Sequence, residues 1–239
     1  MRLEHSHDPA SIAARLADGN RASNLRDWVY GAIDGAITTF AIVAGVVGAN
    51  LEARVALILG VANLVADGVS MAAANYVGTR AEVDELARTR AMEERHVDAD
   101  PEGEREEIRQ SFQRKGIAGE PLERLVTVIT SRRRLWVETM LAEEFGLSSA
   151  TRSPLRAALS TFGAFQLAGL VPLLPFAFGL PNAAETAAAM TGAVFFAIGS
   201  IKSRWSPKSW LASGLETTAI GLSAAALAYA IGYGLQRLV

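Results

Sequence analysis

The sequence has no cysteine among its 239 residues and only three histidines. The absence of cysteine excludes disulfide bonds, thiolate metal sites and cysteine nucleophiles. The net charge is only −2 and no stretch forms a basic stripe, so the electrostatic footprint of a nucleic-acid-binding protein is missing. Carboxylates, amides, thioethers and the few imidazoles are therefore the side chains to consider for chemistry.

Charged residues are also scarce over two long parts of the chain. Of the 48 Lys, Arg, Asp and Glu residues, 29 lie within residues 79–152. This segregation is typical of membrane spans joined to one aqueous domain. About 20 apolar residues are needed to cross a bilayer. Five segments meet that requirement: 28–51, 55–78, 155–180, 184–201 and 209–236.

Basic residues are distributed unevenly between the two sides that these spans define. The N-terminal arm, the block 79–152 and the link between the last two spans are rich in Lys and Arg, whereas the other two links carry Arg54 alone. Because such residues concentrate in cytosolic loops, the N-terminus and residues 79–152 are predicted to be cytosolic, with the C-terminus on the opposite side. The arm lacks the apolar core of a cleavable signal peptide, so we expect the first span to direct insertion.

The block between the second and third spans is predicted to be helical. Asp100-Pro101 is a typical helix start, and we expect that helix to end at Gly116. Another helix is predicted over residues 121–146. The fold class is therefore all-α, a polytopic membrane protein with five transmembrane helices and a three-helix cytosolic insert. The predicted domains are the arm 1–27, spans one and two 28–78, the insert 79–152 and spans three to five 153–239.

Two spans carry polar side chains that a simple anchor does not need. Asp34 lies in the first span. In the second span, polar, thioether and small side chains lie within about 100° of the helix circumference. We call these residues the stripe: Asn63, Asp67, Ser70, Met71 and Ala74. Ionisable residues at membrane depth usually line a path or bind a ligand, and a thioether beside carboxylates favours first-row transition ions. The alternative is that Asp34 and Asp67 are structural, hydrogen-bonded between helices, and that Gly31 and Gly35 serve packing.

The insert carries a second set of candidate ligands. Four acidic or imidazole side chains share about 80° of one predicted helix: Glu82, Glu85, Glu93 and His96. Met140 and Glu144 stand one turn apart in the last predicted helix, with Glu143 beside them. Pairs three residues apart can hold a divalent ion between two side chains. The alternative is a solvated helix face on which the acids pair with neighbouring arginines.

Three stretches together resemble the vacuolar iron transporter family of divalent metal/proton exchangers. They are Asp34-Gly35, the run 66–71 (ADGVSM) leading to Asn75-Tyr76, and the run 136–147 (WVETMLAEEFGL). With the five-span plan and the helical insert, the resemblance covers about residues 25–238. It implies a bacterial-type member that exports Fe²⁺, or Mn²⁺ or Zn²⁺, from the cytosol in exchange for protons, in the inner membrane if the source is bacterial. No resident cofactor is implied, since the metal is the transported ion.

The resemblance also implies roles for individual residues and a homodimer with the path between subunits. Asp34 and Met71 correspond to path residues, and we add their stripe neighbours Asn63, Asp67 and Asn75 to the predicted path. The implied metal ligands of the insert are Glu82, Glu85, Glu93, Met140 and Glu144. His96 stands where a fourth glutamate is common and is kept as a ligand, as is Glu143. Asn75 replaces the usual acid, which leaves proton coupling to Asp34 and Asp67.

Two other functions remain open. Glu93-x-x-His96 is the local signature of di-iron carboxylate helices, so a membrane-anchored iron-oxidising enzyme is one alternative. Such sites use two Glu-x-x-His helices, and the other two histidines, His5 and His7, lie in the N-terminal arm. A metal storage or sensing protein with spans as mere anchors is the other. The prediction from the sequence is a transporter and not an enzyme.

Overall fold

The computed structural model describes residues 6–18, 24–148 and 152–238. All regular elements within these residues are helical, so the all-α prediction is confirmed for them. The helices are α1 (Pro9–Asp18), α2 (Leu25–Gly48), α3 (Ala53–Ala99), α4 (Pro101–Gln113), α5 (Glu120–Thr130), α6 (Arg133–Glu143), α7 (Pro154–Leu170), α8 (Leu174–Ala177), α9 (Ala183–Lys202) and α10 (Trp210–Gln236).

The chain divides into two compact units. The membrane unit comprises Ser23–Gly78 and Ser153–Val239, and the insert unit comprises Met1–Ala22 and Thr79–Arg152. Helix α3 contributes its first part to the membrane unit and its last part to the insert unit.

Five helical segments of the described residues are long and apolar enough to cross a membrane, and each overlaps one predicted span. They are Leu25–Gly48, Ala53–Ala99, Pro154–Ala177, Ala183–Trp205 and Trp210–Gln236. The third is irregular near its end, as its prolines predict, because a 3₁₀ turn (Val171–Leu173) separates α7 from α8. Proline lacks the N–H that would continue the α-helical hydrogen bonds. The protein is a multi-pass membrane protein.

Glycines bring α2 into backbone contact with its neighbours in the membrane unit. A Cβ atom on Gly31 or Gly35 would lie 2.2 Å or 2.3 Å from the carbonyl oxygens of Thr161 and Phe165 on α7. Helices in lipid associate through such close packing because lipid tails are as apolar as the side chains. The small residues of the first span would also fit a homodimer interface. Gly31 and Gly35, however, contact α7 of the same chain.

A single apolar core holds the insert unit together. Asp100 caps α4 by accepting a hydrogen bond from the Gly103 N–H at 3.0 Å, with Pro101 in the first turn, as predicted. The helix predicted over 121–146 is two helices, because the backbone is extended at Arg132 (φ −127°, ψ 109°). The break allows α5 and α6 to bury side chains in the same core, whose members are Val97, Ile108, Leu122, Val126, Ile129, Trp136, Val137, Met140 and Leu141.

Candidate metal centre and membrane polar pair

The end of α3 and the start of α4 bring three possible metal ligands together. Glu93 and His96 are three residues apart on α3, and Glu104 lies in the first turn of α4, after the chain reverses at Asp100. One ligand atom from each of Glu93, His96 and Glu104 lies within 4.8 Å of the others. His96 Nδ1 is 3.8 Å from Glu93 Oε1 and 3.5 Å from Glu104 Oε1. These distances suit one ion held between three side chains.

Two further carboxylates complete an acidic cluster. Glu107, one turn after Glu104 on α4, is hydrogen-bonded to Glu144 at the end of α6, and Glu144 is also close enough to repel Glu104 and Glu93. We call Glu93, His96, Glu104, Glu107 and Glu144 the acidic cluster. Met140 lies one turn before Glu144 and is only 2% exposed.

The carboxylates of the cluster are partly or fully buried and repel one another. Glu93 and Glu104 are 1% and 4% exposed, and the buried Oε2 atom of each lacks a hydrogen-bond partner among the described residues. Burial, followed by repulsion from Glu93 and Glu107, raises the pKa of Glu104 to about 7, although His96 opposes the shift. Burial and the charges of Glu107 and Glu104 also raise the pKa of Glu144. A divalent cation would relieve this repulsion and use the free oxygens.

Three of the predicted ligands lie elsewhere. Glu82 is exposed and accepts hydrogen bonds from Arg152 at 3.1 Å. Glu82 and the exposed Glu85 precede Glu93 by 11 and 8 residues of continuous helix, or about 16 and 12 Å along its axis. Glu143 forms an ion pair with Lys115. The structure therefore brings Glu93, His96 and Glu144 together and leaves these three outside.

Sequence reasoning missed Glu104 and Glu107. Their spacing of three residues on a helix with a recognisable start was the available signal. The sequence pattern does not show that α4 folds back against the end of α3. Helical spacing instead pointed to Glu82, which shares a face of the helix with Glu93.

Two of the carboxylates in the membrane unit interact electrostatically. Asp34 on α2 and Asp67 on α3 are both half-buried, and their charges repel. Beside them, Asn63 Nδ2 donates to Thr38 Oγ1 at 3.3 Å, and Thr38 Oγ1 donates to the Asp34 carbonyl oxygen at 2.9 Å. The half-buried Met71 packs against the core of the same unit. Asn63 and Asp67 of the stripe on α3 therefore lie on the side of that helix that faces α2 near Asp34.

Asn75, the remaining residue of the predicted path, has a different environment from the stripe. Its Nδ2 donates to Asp27 Oδ1 at 3.0 Å, to Thr161 Oγ1 at 2.6 Å and to the Ala157 carbonyl oxygen at 3.3 Å. Asp27 is 3% exposed and lies in the first turn of α2, whereas the other two partners are on α7. The side chain predicted to line the path is therefore a link between three helices.

Comparison with known proteins agrees with the resemblance found in the motifs. The sequence pattern of the VIT family matches residues 25–233. A protein of Toxoplasma gondii named vacuolar iron transporter is 33% identical over 88% of this chain and 74% of its own length. Vacuolar iron transporter 2 of Oryza sativa is 30% identical over 90% of this chain and 88% of its own, and vacuolar iron transporter 1 of Arabidopsis thaliana is 30% identical over 89% and 86%. The chain belongs to the VIT family.

Proposed function

We propose that the protein is a transporter that moves Fe²⁺ out of the cytosol in exchange for protons. The observation that carries the proposal is the Asp34–Asp67 pair on adjacent helices of the membrane unit. An anchor needs no such pair, and charge at membrane depth marks an ion path. The names of the relatives, all described as vacuolar iron transporters, support iron as the cargo.

The acidic cluster is the proposed binding site on the cytosolic side. Four carboxylates and one imidazole suit Fe²⁺, and the same ligands accept Mn²⁺ and Zn²⁺, because selectivity among these ions depends on geometry and availability more than on raw affinity. The proposed ligands are Glu93, His96, Glu104, Glu107 and Glu144, with Met140 next to them. This set replaces Glu82, Glu85 and Glu143, whose positions do not support a role at the same ion.

The membrane pair is the proposed point at which the ion sheds water. A divalent ion 4 Å from one carboxylate gains about 8 kcal/mol at an effective dielectric constant of 20, which offsets part of the cost of dehydration. Protonation of the carboxylate removes this attraction. Metal binding therefore releases a proton, and proton binding releases the metal, which gives exchange with Asp34 and Asp67 as the titrating groups. Asn63 and Met71 would supply neutral ligands on the same stripe.

We also propose the orientation and assembly that the sequence predicts. The N-terminus and residues 79–152 would face the cytosol, with the C-terminus on the opposite side, in the inner membrane if the source is bacterial. A homodimer with the path between subunits fits the apolar surface of α3, which exposes Ile58, Val61, Val65 and Val69 within the described chain.

A membrane-anchored iron-oxidising enzyme is the second candidate. The acidic cluster favours it to the extent that carboxylate-rich helical sites hold two irons in ferritin-like proteins. The cluster contains one histidine, whereas those sites use two, and the membrane pair has no role in such chemistry. Oxygen consumption on addition of Fe²⁺ would distinguish this activity from transport.

Liposomes containing the full chain test the proposal directly. With an imposed pH gradient, Fe²⁺, Mn²⁺ and Zn²⁺ are added outside and interior metal and pH are followed by dyes. We expect metal uptake with proton release from the lumen, absent from protein-free liposomes. Metal flux that leaves the interior pH unchanged would remove the exchange part of the proposal, and an absence of flux would remove transport itself.

A further inference from the structure

An open cavity lies at one end of the membrane unit. It has a volume of about 650 Å³ and lies between the first turns of α2 and the end of α9 with the following 3₁₀ turn. This volume is within the range of about 300–1,000 Å³ that is usual for small-molecule sites. The residues that characterise its wall are Arg26, Val29, Tyr30, Ile33, Lys202 and Trp205.

The wall combines two cations with two exposed aromatic rings. The Arg26 guanidinium lies 5.5 Å from the centre of the Tyr30 ring. Lys202 is in the last turn of α9, and Trp205 follows it in the 3₁₀ turn Ser203–Trp205. Within the described chain, neither Arg26 nor Lys202 lies within 4.0 Å of a carboxylate oxygen, unlike Lys208, which pairs with Glu216 at 2.8 Å. Two positive charges at this cavity are thus available to an anion.

The position of the cavity along the spans identifies the depth at which that anion would lie. Arg26 is the second residue of α2 and Lys202 the last of α9, so both charges stand at the ends of spans, where lipid head groups are found. Tyr30 and Trp205 are 57% and 62% exposed, and Tyr and Trp side chains concentrate at this interface. Val29 and Ile33 extend the wall with apolar surface along α2.

We propose that this cavity binds one anionic phospholipid. The phosphate would lie between the guanidinium of Arg26 and the ammonium of Lys202, and the glycerol backbone would lie against the rings of Tyr30 and Trp205. The first part of an acyl chain would cover Val29 and Ile33. Basic pockets between transmembrane helices select anionic head groups in this manner, and arginine binds phosphate through two parallel N–H groups.

The test uses the purified full chain in detergent and native mass spectrometry. Phosphatidylglycerol and phosphatidylcholine with identical acyl chains are titrated, and the lipid-bound fraction is measured for the wild type, Arg26→Gln and Lys202→Gln. Arg204→Gln is the matched control, because Arg204 is an exposed cation two residues from Lys202 that does not line the cavity. Lys202→Arg preserves the charge and shows whether loss of binding results from charge or from misfolding.

We expect tighter binding of phosphatidylglycerol than of phosphatidylcholine. Arg26→Gln and Lys202→Gln should each weaken phosphatidylglycerol binding about fivefold, whereas Arg204→Gln and Lys202→Arg should not. Equal binding of the two lipids, or an equal loss in Arg204→Gln, would overturn the proposal.

Two further results would also overturn it, each by identifying another occupant. Competition by glycerol 3-phosphate at the concentration of the lipid would identify a soluble phosphate as the ligand. Disulfide cross-linking of two copies through Trp205→Cys, a unique cysteine in this chain, would identify a second subunit over the cavity.

Discussion

The insert unit and the membrane unit both concentrate carboxylates, but they do so in different ways. In the insert, four carboxylates and one imidazole come from α3, α4 and α6 and surround a small volume beside an apolar core. In the membrane unit, the two carboxylates Asp34 and Asp67 interact, with an amide and a hydroxyl beside them. The acidic cluster therefore offers more charged ligands to an ion than the membrane pair does.

The proposed function gives the two sites different tasks. A site that captures an ion from water gains from every added charge, since the ion keeps partners on all sides. A point on a path must also release the ion, so conduction requires binding that is favourable but not too strong. If the proposed function is correct, the number of carboxylates in each unit matches capture in the insert and passage in the membrane unit.

The strongest way to break the comparison is to remove the charge at Asp34. Asp34→Asn keeps the size of the side chain but loses the attraction for the ion and the titrating group, so metal flux into liposomes should fall by at least about 100-fold. Metal binding to the insert should remain, as measured by calorimetry on the same protein. The control is Glu185→Gln, an exposed carboxylate of the same unit. Wild-type flux in Asp34→Asn would make Asp34 a structural residue.

Removal of one carboxylate from the acidic cluster should weaken capture. Glu104→Gln keeps the shape but removes a charged ligand worth about 1.5–3 kcal/mol, so Fe²⁺ affinity should fall about 10- to 100-fold. Glu82→Gln serves as the matched control and should leave the affinity unchanged. The reverse result, loss in Glu82→Gln alone, would restore the ligand set predicted from the sequence. Anaerobic calorimetry on the full chain measures both variants.

The membrane unit depends on close packing of α2, which carries Asp34, against α7. In Gly35→Ala, the new methyl group would meet the Phe165 carbonyl oxygen at 2.3 Å, so the helices must separate. We expect the free energy of unfolding to fall by about 1–3 kcal/mol. Gly163→Ala adds the same methyl group where no atom lies within 4 Å and should not destabilise. Equal thermal midpoints in detergent for the two variants would contradict the close approach.

The smallest expected effect is the pH dependence of capture. Because the pKa of Glu104 is raised to about 7, its proton competes with metal in the neutral range, and affinity should fall about tenfold from pH 8 to pH 6. The metal-free protein should show the opposite trend in stability. The folded-state pKa exceeds the unfolded value, so the folded form binds more protons and stability declines as the pH rises from about 4.5 to about 7. Glu104→Gln should reduce both dependences, and unchanged profiles would refute the assignment.

The sequence predicted those features that depend on local pattern. Composition and helical spacing are properties of short stretches of sequence. They were enough to predict the apolar segments, the helix start at Asp100 and the pairing of Glu93 with His96. The contribution of Glu104 and Glu107 depends on which helix faces which. Helical spacing within α3 cannot reveal a neighbour that is supplied by α4.

The glycines and the broken helix illustrate the same limit. Gly31 and Gly35 indicate that some helix approaches closely, but the pattern does not say whether that helix belongs to the same chain. The division between α5 and α6 has no glycine or proline to mark it. It follows from the shared core that Ile129 and Trp136 enter from both sides of Arg132.

The link made by Asn75 bears on the order in which the chain is assembled. Its partners on α7 are 82 and 86 residues later in the sequence, so translation must pass through the whole insert before they exist. Before that point the Asn75 amide can already bond to Asp27 and link α2 to α3. The hydrogen bonds that join the three helices can therefore form only after the third span is inserted. Their formation is a late step of biogenesis, and a chain truncated before α7 would lack them.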